Sequence, residues 1–454
     1  MGQSARSVPL PAPASKQITA ERRSVLGNAF WLGLDRVIRM PVGFVVSVLV
    51  IRHLGPAGNG LLQSGLALAA ILTCVVELGL EGVVRRDLVR TPDRPEVLLG
   101  VATFLRLGAL LPLLAVFLAL HTWQTGGSQL ALGGWLAVTL ALPVGQIFDT
   151  WLLAHDRMRA SAIASISALG ASTLLRIGLV IAGASVVAFG AAAAAETLLV
   201  IAGVWVAFRL SQGSPRALRF EAPEAGRLLR ASAPLLFTNL AVLVYRRCDV
   251  LIVTSLLHAH AAGIYAAAVR LAETGYILPM IVLNAWFPRL TRLHREDPRQ
   301  FRIEMARFYR LLTWLGLAFA GAATLAAPIL VPLLFGPAYT ETTVPFTIYA
   351  WTAVFIAQGI ARSQWLLLEN RLIEGLGLAV AGAGLNLLLN FLLIPVYGPA
   401  GAAWAAVLAL AANVLGFTAW SARTRPAWHF GWRALLLPFG SAANRIEPPS
   451  PPLP

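Results

Sequence analysis

Apolar residues run along this chain in blocks of about twenty or more, separated by short polar connectors, with no recurring strand-type alternation. A helix rising 1.5 Å per residue needs about 20 apolar residues to span a hydrocarbon layer roughly 30 Å thick. Twelve windows meet that requirement: 25–50, 58–81, 97–120, 129–154, 161–183, 185–208, 231–256, 261–287, 311–334, 343–367, 372–394 and 399–420. Inside a bilayer every backbone N–H and C=O needs a partner from the protein, and a helix supplies one for each. The pattern therefore predicts an all-α, polytopic membrane protein.

Composition agrees and removes the soluble alternative. The 454 residues are 57% hydrophobic and 13% charged. Soluble domains hold roughly 45–50% apolar residues even with glycine counted, and about 25% charged ones. The formal charge of +15 first suggests a nucleic-acid partner, but of the 36 basic residues only Lys16 is a lysine. The positions of the arginines carry more information than their sum.

Cytoplasmic connectors concentrate Lys and Arg. Alternate connectors, counted from the N-terminus, hold 27 of the 36 basic residues, and the six intervening ones hold only Arg52. A miscounted helix would scramble that alternation, so it predicts twelve crossings with both termini cytoplasmic. Most of the basic excess is thus a matter of orientation, and no nucleic-acid partner is needed. The richest connector, Arg289 to Arg310, reads as a solvated linker, with anionic lipid headgroups as the next reading.

The expected organisation is a disordered cytoplasmic tail over 1–22, a six-helix bundle over 23–208 and a cytoplasmic linker over 209–230. A second six-helix bundle over 231–421 and a cytoplasmic tail over 422–454 follow. No signal peptide is recognised at the N-terminus. Cys74 and Cys248 both fall in apolar blocks and read as buried small hydrophobes, with no disulfide framework or zinc site.

The two halves echo each other. Ala57-Gly58-Asn59-Gly60-Leu61-Leu62 leads into the second helix, and Ala259-His260-Ala261-Ala262-Gly263-Ile264-Tyr265 leads into the eighth. Gly-Pro-Ala recurs at outward turns at Gly55, Gly336 and Gly398, where Gly-Pro ends helices. Paired bundles of this kind face each other across a central path.

Several stretches resemble the polysaccharide-transporter family, the Wzx-type O-antigen flippases. They are Asn28…Leu54-Gly55-Pro56-Ala57-Gly58-Asn59-Gly60…Glu77-Leu78-Gly79-Leu80, and Arg247-Cys248-Asp249…Ala262-Gly263-Ile264-Tyr265…Pro288. Leu334-Phe335-Gly336 and Asn386…Ile394-Pro395-Val396-Tyr397-Gly398-Pro399-Ala400-Gly401 continue the match, which spans about residues 22–422. Each motif is mostly glycine and hydrophobics, so specificity comes from their order and spacing. The superfamily implied also contains multidrug-extrusion antiporters and lipid II flippases. The resemblance implies translocation of an undecaprenyl-diphosphate-linked oligosaccharide across a bacterial inner membrane, by alternating access and without a cofactor. It also implies cavity arginines on helices 1, 2 and 8.

Eight arginines remain inside the predicted helices: Arg36, Arg39, Arg106, Arg176, Arg246, Arg247, Arg270 and Arg362. Each would cost about 2.5–3.5 kcal/mol at a lipid-exposed helix centre, so they must pair, snorkel or line water. Arg176 and Arg362 lie about two turns from helix ends and read as snorkelling. Helical spacing suggests the pairs Asp35–Arg39, Arg246–Asp249 and Arg270–Glu273. Four acids, Asp35, Glu196, Asp249 and Glu273, oppose the eight arginines, leaving the interior net positive.

Guanidinium forks bind diphosphate oxygens bidentately and keep their charge when partly desolvated. Arg36, Arg39, Arg246, Arg247 and Arg270 are therefore the candidate diphosphate ligands, with Arg52 at the outer mouth. Asp35, Glu196, Asp249 and Glu273 are the candidate coupling or gating carboxylates, Glu196 standing alone among alanines. An enzyme is the first rival: Lys16 is followed by Gln17, so no Gly-Lys-Ser/Thr phosphate loop exists, and the outward connectors are too short for a catalytic domain. His258 and His260 have no adjacent carboxylate or Cys to complete a metal site. A cation antiporter of the same fold, a lipid II flippase and a scaffold for glycan polymerase or export machinery are the other readings. Trp428 and Trp432 in the last segment read as an interfacial anchor.

Overall fold

The computed structural model describes residues 14–91, 93–211 and 218–436, with side chains from Arg39 onward except Leu372. Among the described residues every regular element is a helix and none is a strand. Nine helical stretches among the described residues are long and apolar enough to cross a membrane. One of them, 39–90, takes in most of the helix Ala14–Glu77, broken at Gly55 (φ 65°, ψ 175°), and the helix Leu80–Arg90 after it. The helix Ala222–Ala272, broken at His258 (φ 69°, ψ 176°), is not among the nine and carries Arg246, Arg247 and Asp249 in its interior. The chain is thus an all-α, multi-pass membrane protein, and the twelve-crossing count remains the expectation of its arginine pattern.

Several boundaries differ from the periodicity. The first helix starts at Ala14, directly after Pro13, so residues 14–22 of the expected tail are helical. Residues 14–22 hold Ala, Lys, Gln and Glu and no proline, a sequence that favours helix regardless of burial. The expected 209–230 linker shortens, because Val186–Leu210 ends late and the next helix begins at Ala222, with Pro223 in its first turn. Residues 289–310 are helical on both sides of Asp297, not an open linker. Asp297 caps the second helix by accepting from the backbone N–H of Arg299 and Gln300. Glu304, 1% exposed, accepts from Arg289 and Arg307 there. The Pro-rich end, 437–454, lies outside the described residues.

The two breaks are equivalent in the internal repeat. Gly55 and His258 share nearly the same backbone angles, and Gly60 and Gly263 follow each at the same interval. A Cβ at Gly60 would lie 1.7 Å from the carbonyl oxygen of Ala259, and one at Gly263 would lie 1.8 Å from that of Pro56. Only glycine lets the two helix starts cross so closely. Asn59 Nδ2 donates to the Gly263 carbonyl at 3.1 Å, and Tyr339 OH donates to the Ile51 carbonyl at 2.9 Å. The halves are therefore sealed together at the end that the arginine pattern assigns to the outer side.

A second crossing joins the halves nearer the opposite end. Gly79 (φ 64°) packs against the backbone of Ser232 and Leu236. Beyond it Arg227 reaches Asp87 at 2.7 Å and Glu224 at 2.5 Å. Between the two crossings the halves separate around a cavity.

Candidate functional site

The cavity has a volume of about 830 Å³ and is lined from both halves. The helix 14–54 contributes Arg39, Gly43 and Ser47; 56–77 contributes Gln63; Met158–Ile181 contributes Arg176; and Val186–Leu210 contributes Glu196. The stretch Ala222–Ala272 supplies Tyr245, Arg246, Arg247, Asp249 and Arg270, and Glu273 follows it directly. Five arginines face three carboxylates, a surplus of two positive charges.

Four of the candidate arginines thus converge here, Arg39, Arg246, Arg247 and Arg270, together with Glu196, Asp249 and Glu273. Asp35 and Arg36 have helical backbone, but their side chains lie outside the described residues, as does the expected Asp35–Arg39 pair. Arg52 does not line the cavity. It is exposed at the sealed end, beside Gly336.

The two other intrahelical pairs do not form. Arg246 Nη2 instead meets Glu273 Oε1 at 3.1 Å, 27 positions along the chain. Glu273 opens a 3₁₀ turn, Glu273–Tyr276, and lies on the cavity wall together with Arg246 and Arg270. Arg270 crosses to the other half, donating through Nε to Ser47 Oγ at 2.9 Å and through Nη2 to the Gly43 carbonyl at 3.0 Å. Asp249, 3% exposed, turns inward, accepting from Tyr265 OH and from the Val250 backbone N–H. Arg247 has no hydrogen bond or ion pair among the described residues.

Two further readings are corrected. Glu196 is not alone: Arg176 Nη2 lies 2.5 Å from its Oε2, and Ser172 Oγ donates to the same oxygen at 2.9 Å. Arg176 therefore lines the cavity as half of an ion pair and does not snorkel. Sequence spacing missed this because the partners sit on neighbouring helices, 20 positions apart. Arg362 does not snorkel either. Its Nη1 donates to the Asn413 carbonyl, Asn413 Oδ1 and Thr418 Oγ1, where a π-helical turn, Ala412–Phe417, exposes a backbone acceptor. Arg106, 1% exposed, donates to the Pro143 carbonyl just past a 3₁₀ break at Val138–Ala141.

Beside Asp249 lies a buried polar group that spacing did not single out as a site. Cys248 Sγ donates to Asn386 Oδ1 at 3.5 Å, and Asn390 Nδ2 donates to the same oxygen at 3.1 Å. Asn386 and Asn390 are one turn apart on Leu372–Tyr397, which is the signal that could have paired them. Cys74 is buried, as its apolar block predicts. His260, expected to lack an acidic neighbour, has Glu341 at 3.9 Å from the turn that follows Gly336.

Comparison with known proteins bears on the family and the fold. A family model described as polysaccharide biosynthesis protein matches residues 25–294, more than half of the chain. No curated protein matches the sequence significantly. The fold is similar to the inward-facing conformation of a multidrug resistance MATE family transporter of the MOP superfamily. The TM-score is 0.65 at 13% identity, covering 90% of this chain and 98% of that one. It is equally similar to the lipid II flippase MurJ in an inward closed conformation, with a TM-score of 0.66 and 12% identity over 89% of this chain and 90% of that one. The Vibrio cholerae MATE transporter VcmN in its bent form gives 0.54 at 12% identity, over 91% and 98% of the two chains. At such identities the likeness is one of fold.

Proposed function

The chain belongs to the polysaccharide biosynthesis protein family, and on that premise we propose that it is a flippase for an undecaprenyl-diphosphate-linked oligosaccharide. It carries this substrate from the cytoplasmic to the outer leaflet of a bacterial inner membrane. It does so as a twelve-crossing pair of six-helix bundles, 23–208 and 231–421, that alternate access to one cavity. The observation that carries the reading is the convergence of arginines from both halves on that cavity, with a surplus of two positive charges. A diphosphate bridging the halves would engage Arg247 first, the cavity arginine without a partner among the described residues. Arg39, Arg246 and Arg270 would follow as their present contacts yield.

Alternating access needs a ligand held differently in two states. Arg270 already spans the halves through Ser47 and Gly43. A phosphate oxygen taking its Nε and Nη2 would loosen that bridge, so substrate binding would weaken one of the contacts holding the halves in this state. The carboxylates Glu196, Glu273 and Asp249 are the coupling candidates, because each holds or neighbours a cavity arginine. The same fold serves a multidrug resistance transporter, but a cationic drug would meet like charge here. That electrostatic argument favours the anionic substrate.

The test is charge removal in protein shown to be folded and inserted. Arg247→Gln and Arg270→Gln should abolish export and leave the lipid-linked glycan accumulating on the cytoplasmic side. Full export by the double variant would sink the proposal. Purified protein should also be stabilised by pyrophosphate and not by an organic monocation such as tetraphenylphosphonium.

A further inference from the structure

A second cavity, of about 540 Å³, adjoins the first and shares Leu66, Val242 and Arg246 with it. It lies between helix 56–77, the 3₁₀ break before Pro143, and the part of Ala222–Ala272 leading to Arg246. Thr139 also lines it, its hydroxyl already donating to the Leu136 carbonyl. Ala69, Ala70, Leu142 and Leu243 form the walls near Arg246. Thr73, Glu77 and Asn239 lie farther along the same helices, toward the Gly79 crossing. Thr73 and Glu77 are one helical turn apart and so share a face. Neither they nor Asn239 makes a side-chain hydrogen bond or ion pair among the described residues. They are thus a hydroxyl, a carboxylate and an amide with their hydrogen-bonding capacity unspent, at the end of a chamber that begins at a candidate phosphate ligand.

We propose that this side chamber is the glycan subsite, taking the sugar attached to the diphosphate and selecting a neutral or amino sugar over an acidic one. The inference rests on the arginine cavity being the diphosphate site. A diphosphate at Arg246 and Arg247 leaves its lipid end and its sugar end to go in different directions. The lipid needs hydrocarbon, whereas the sugar needs hydrogen-bond partners for its hydroxyls and a flat apolar wall for its C–H faces. Thr73, Asn239 and Glu77 supply the first and the paired alanines supply the second. Asn239 is exposed and Thr73 and Glu77 are half-buried, so in the empty chamber water serves all three, and a sugar's hydroxyls would replace that water at matched positions.

Glu77 sets the sign of the selection at the far end of the chamber, because Arg246, the other charged lining group, is taken up by the diphosphate. The charged groups acting on it are Arg106 and Glu81, but Arg106 is fully buried and directed at the Pro143 carbonyl, not into the chamber. A uronic acid carboxylate entering the chamber would meet Glu77 at close range, a like-charge approach that suppresses wrong ligands. An N-acetylamino or amino sugar would instead offer Glu77 an N–H donor.

The experiment uses the full chain in detergent and three soluble probes with the same diphosphate: UDP, UDP-N-acetylglucosamine and UDP-glucuronate. Affinities are read by calorimetry. UDP should bind through the arginines, UDP-N-acetylglucosamine should bind more tightly than UDP, and UDP-glucuronate should bind about tenfold more weakly than UDP-N-acetylglucosamine. Glu77→Gln should erase most of that tenfold gap and leave UDP binding unchanged. Asn239→Ala should lower affinity for UDP-N-acetylglucosamine toward that of UDP. If UDP binds while neither sugar changes its affinity, or if the Glu77→Gln protein discriminates as before, the glycan subsite is overturned and the diphosphate site stands. If no probe binds, both readings are overturned together.

Discussion

The glycine crossing at the sealed end offers the most direct test of how the halves move. In Gly60→Ala the new Cβ would lie 1.7 Å from the Ala259 carbonyl oxygen, 2.7 Å from its carbon and 2.8 Å from the Gly263 nitrogen. All three are backbone atoms, so no side chain can rotate away. The two helix starts must part by on the order of 1.5 Å to restore ordinary van der Waals contact. Overpacking of this kind costs about 1–3 kcal/mol in the state that suffers it. An outward-open state, in which these starts separate, would not suffer it, so the same energy becomes a population shift of about 5- to 150-fold toward that state. Gly263→Ala should act alike, since its Cβ would lie 1.8 Å from the Pro56 carbonyl oxygen. Gly134→Ala is the control, having nothing within 4 Å of its added Cβ. Spin labels at Arg52 and His260, both exposed, would report the separation by pulsed electron resonance in nanodiscs. Longer distances in the two crossing variants and not in Gly134→Ala are expected. Unchanged distances in folded Gly60→Ala and Gly263→Ala protein would refute the idea that this contact closes the outer side.

Two further outcomes follow from contacts that sequence spacing did not suggest. Glu196→Gln leaves Arg176 without its ionised partner and should destabilise the protein by about 1–3 kcal/mol, whereas Arg176→Gln combined with Glu196→Gln should recover part of that loss. Thermal unfolding of the single and double variants measures the coupling, and additive effects would exclude a working pair. The helix Arg425–Leu436 carries His429, whose imidazole is held below its ordinary value by burial and then by Arg433 and Arg425. A base with a lowered folded-state value contributes stability above its unfolded value of about 6.5 and loses it as pH falls below that. Protection factors in this helix, corrected for the intrinsic pH dependence of amide exchange, should therefore fall between pH 7.5 and pH 5.5, and His429→Gln should flatten the dependence. A helix equally protected at both values would count against the assignment.

Much of the architecture was legible because a bilayer imposes its constraint locally. Block length and the arginine alternation are one-dimensional signals, and they predicted the all-helical, multi-pass fold. The repeat was visible as Gly60 and Gly263, although its purpose, a backbone crossing, needed three dimensions. Charge pairing was legible only in part. Asp249, Glu196 and Glu273 all line the cavity, but helical spacing paired Asp249 and Glu273 with the wrong arginines and offered Glu196 no partner. In a water-exposed helix, residues three or four apart meet because nothing else competes. In a packed bundle Tyr265, Arg176 and Arg246 compete, and each comes from another turn or another helix. A local deviation decided another case: the π-turn at Asn413 frees a backbone acceptor for Arg362 in a way that periodicity does not encode.

The pairings bear on how a flippase could release what it binds. An arginine cluster bare of acids would hold a diphosphate tightly, and a carrier so loaded would not turn over, because passage requires binding weak enough to leave. Here Arg246 and Arg176 each rest on a carboxylate, and Arg270 rests on neutral oxygens of the opposite half. A bound diphosphate would have to displace those partners, so its net affinity is the difference between two similar attractions. When the halves rock, Glu273 and Glu196 would be positioned to reclaim their arginines as the phosphate departs. On this view the acids are return partners for the arginines, and the surplus of two charges sets the bias toward an anion. Neutralising an acid should then tighten diphosphate binding while slowing transport, whereas neutralising an arginine should weaken both. Glu273→Gln separates these cases: tighter pyrophosphate binding with slower export supports a return role. Weaker binding would mean that Glu273 serves only to position Arg246.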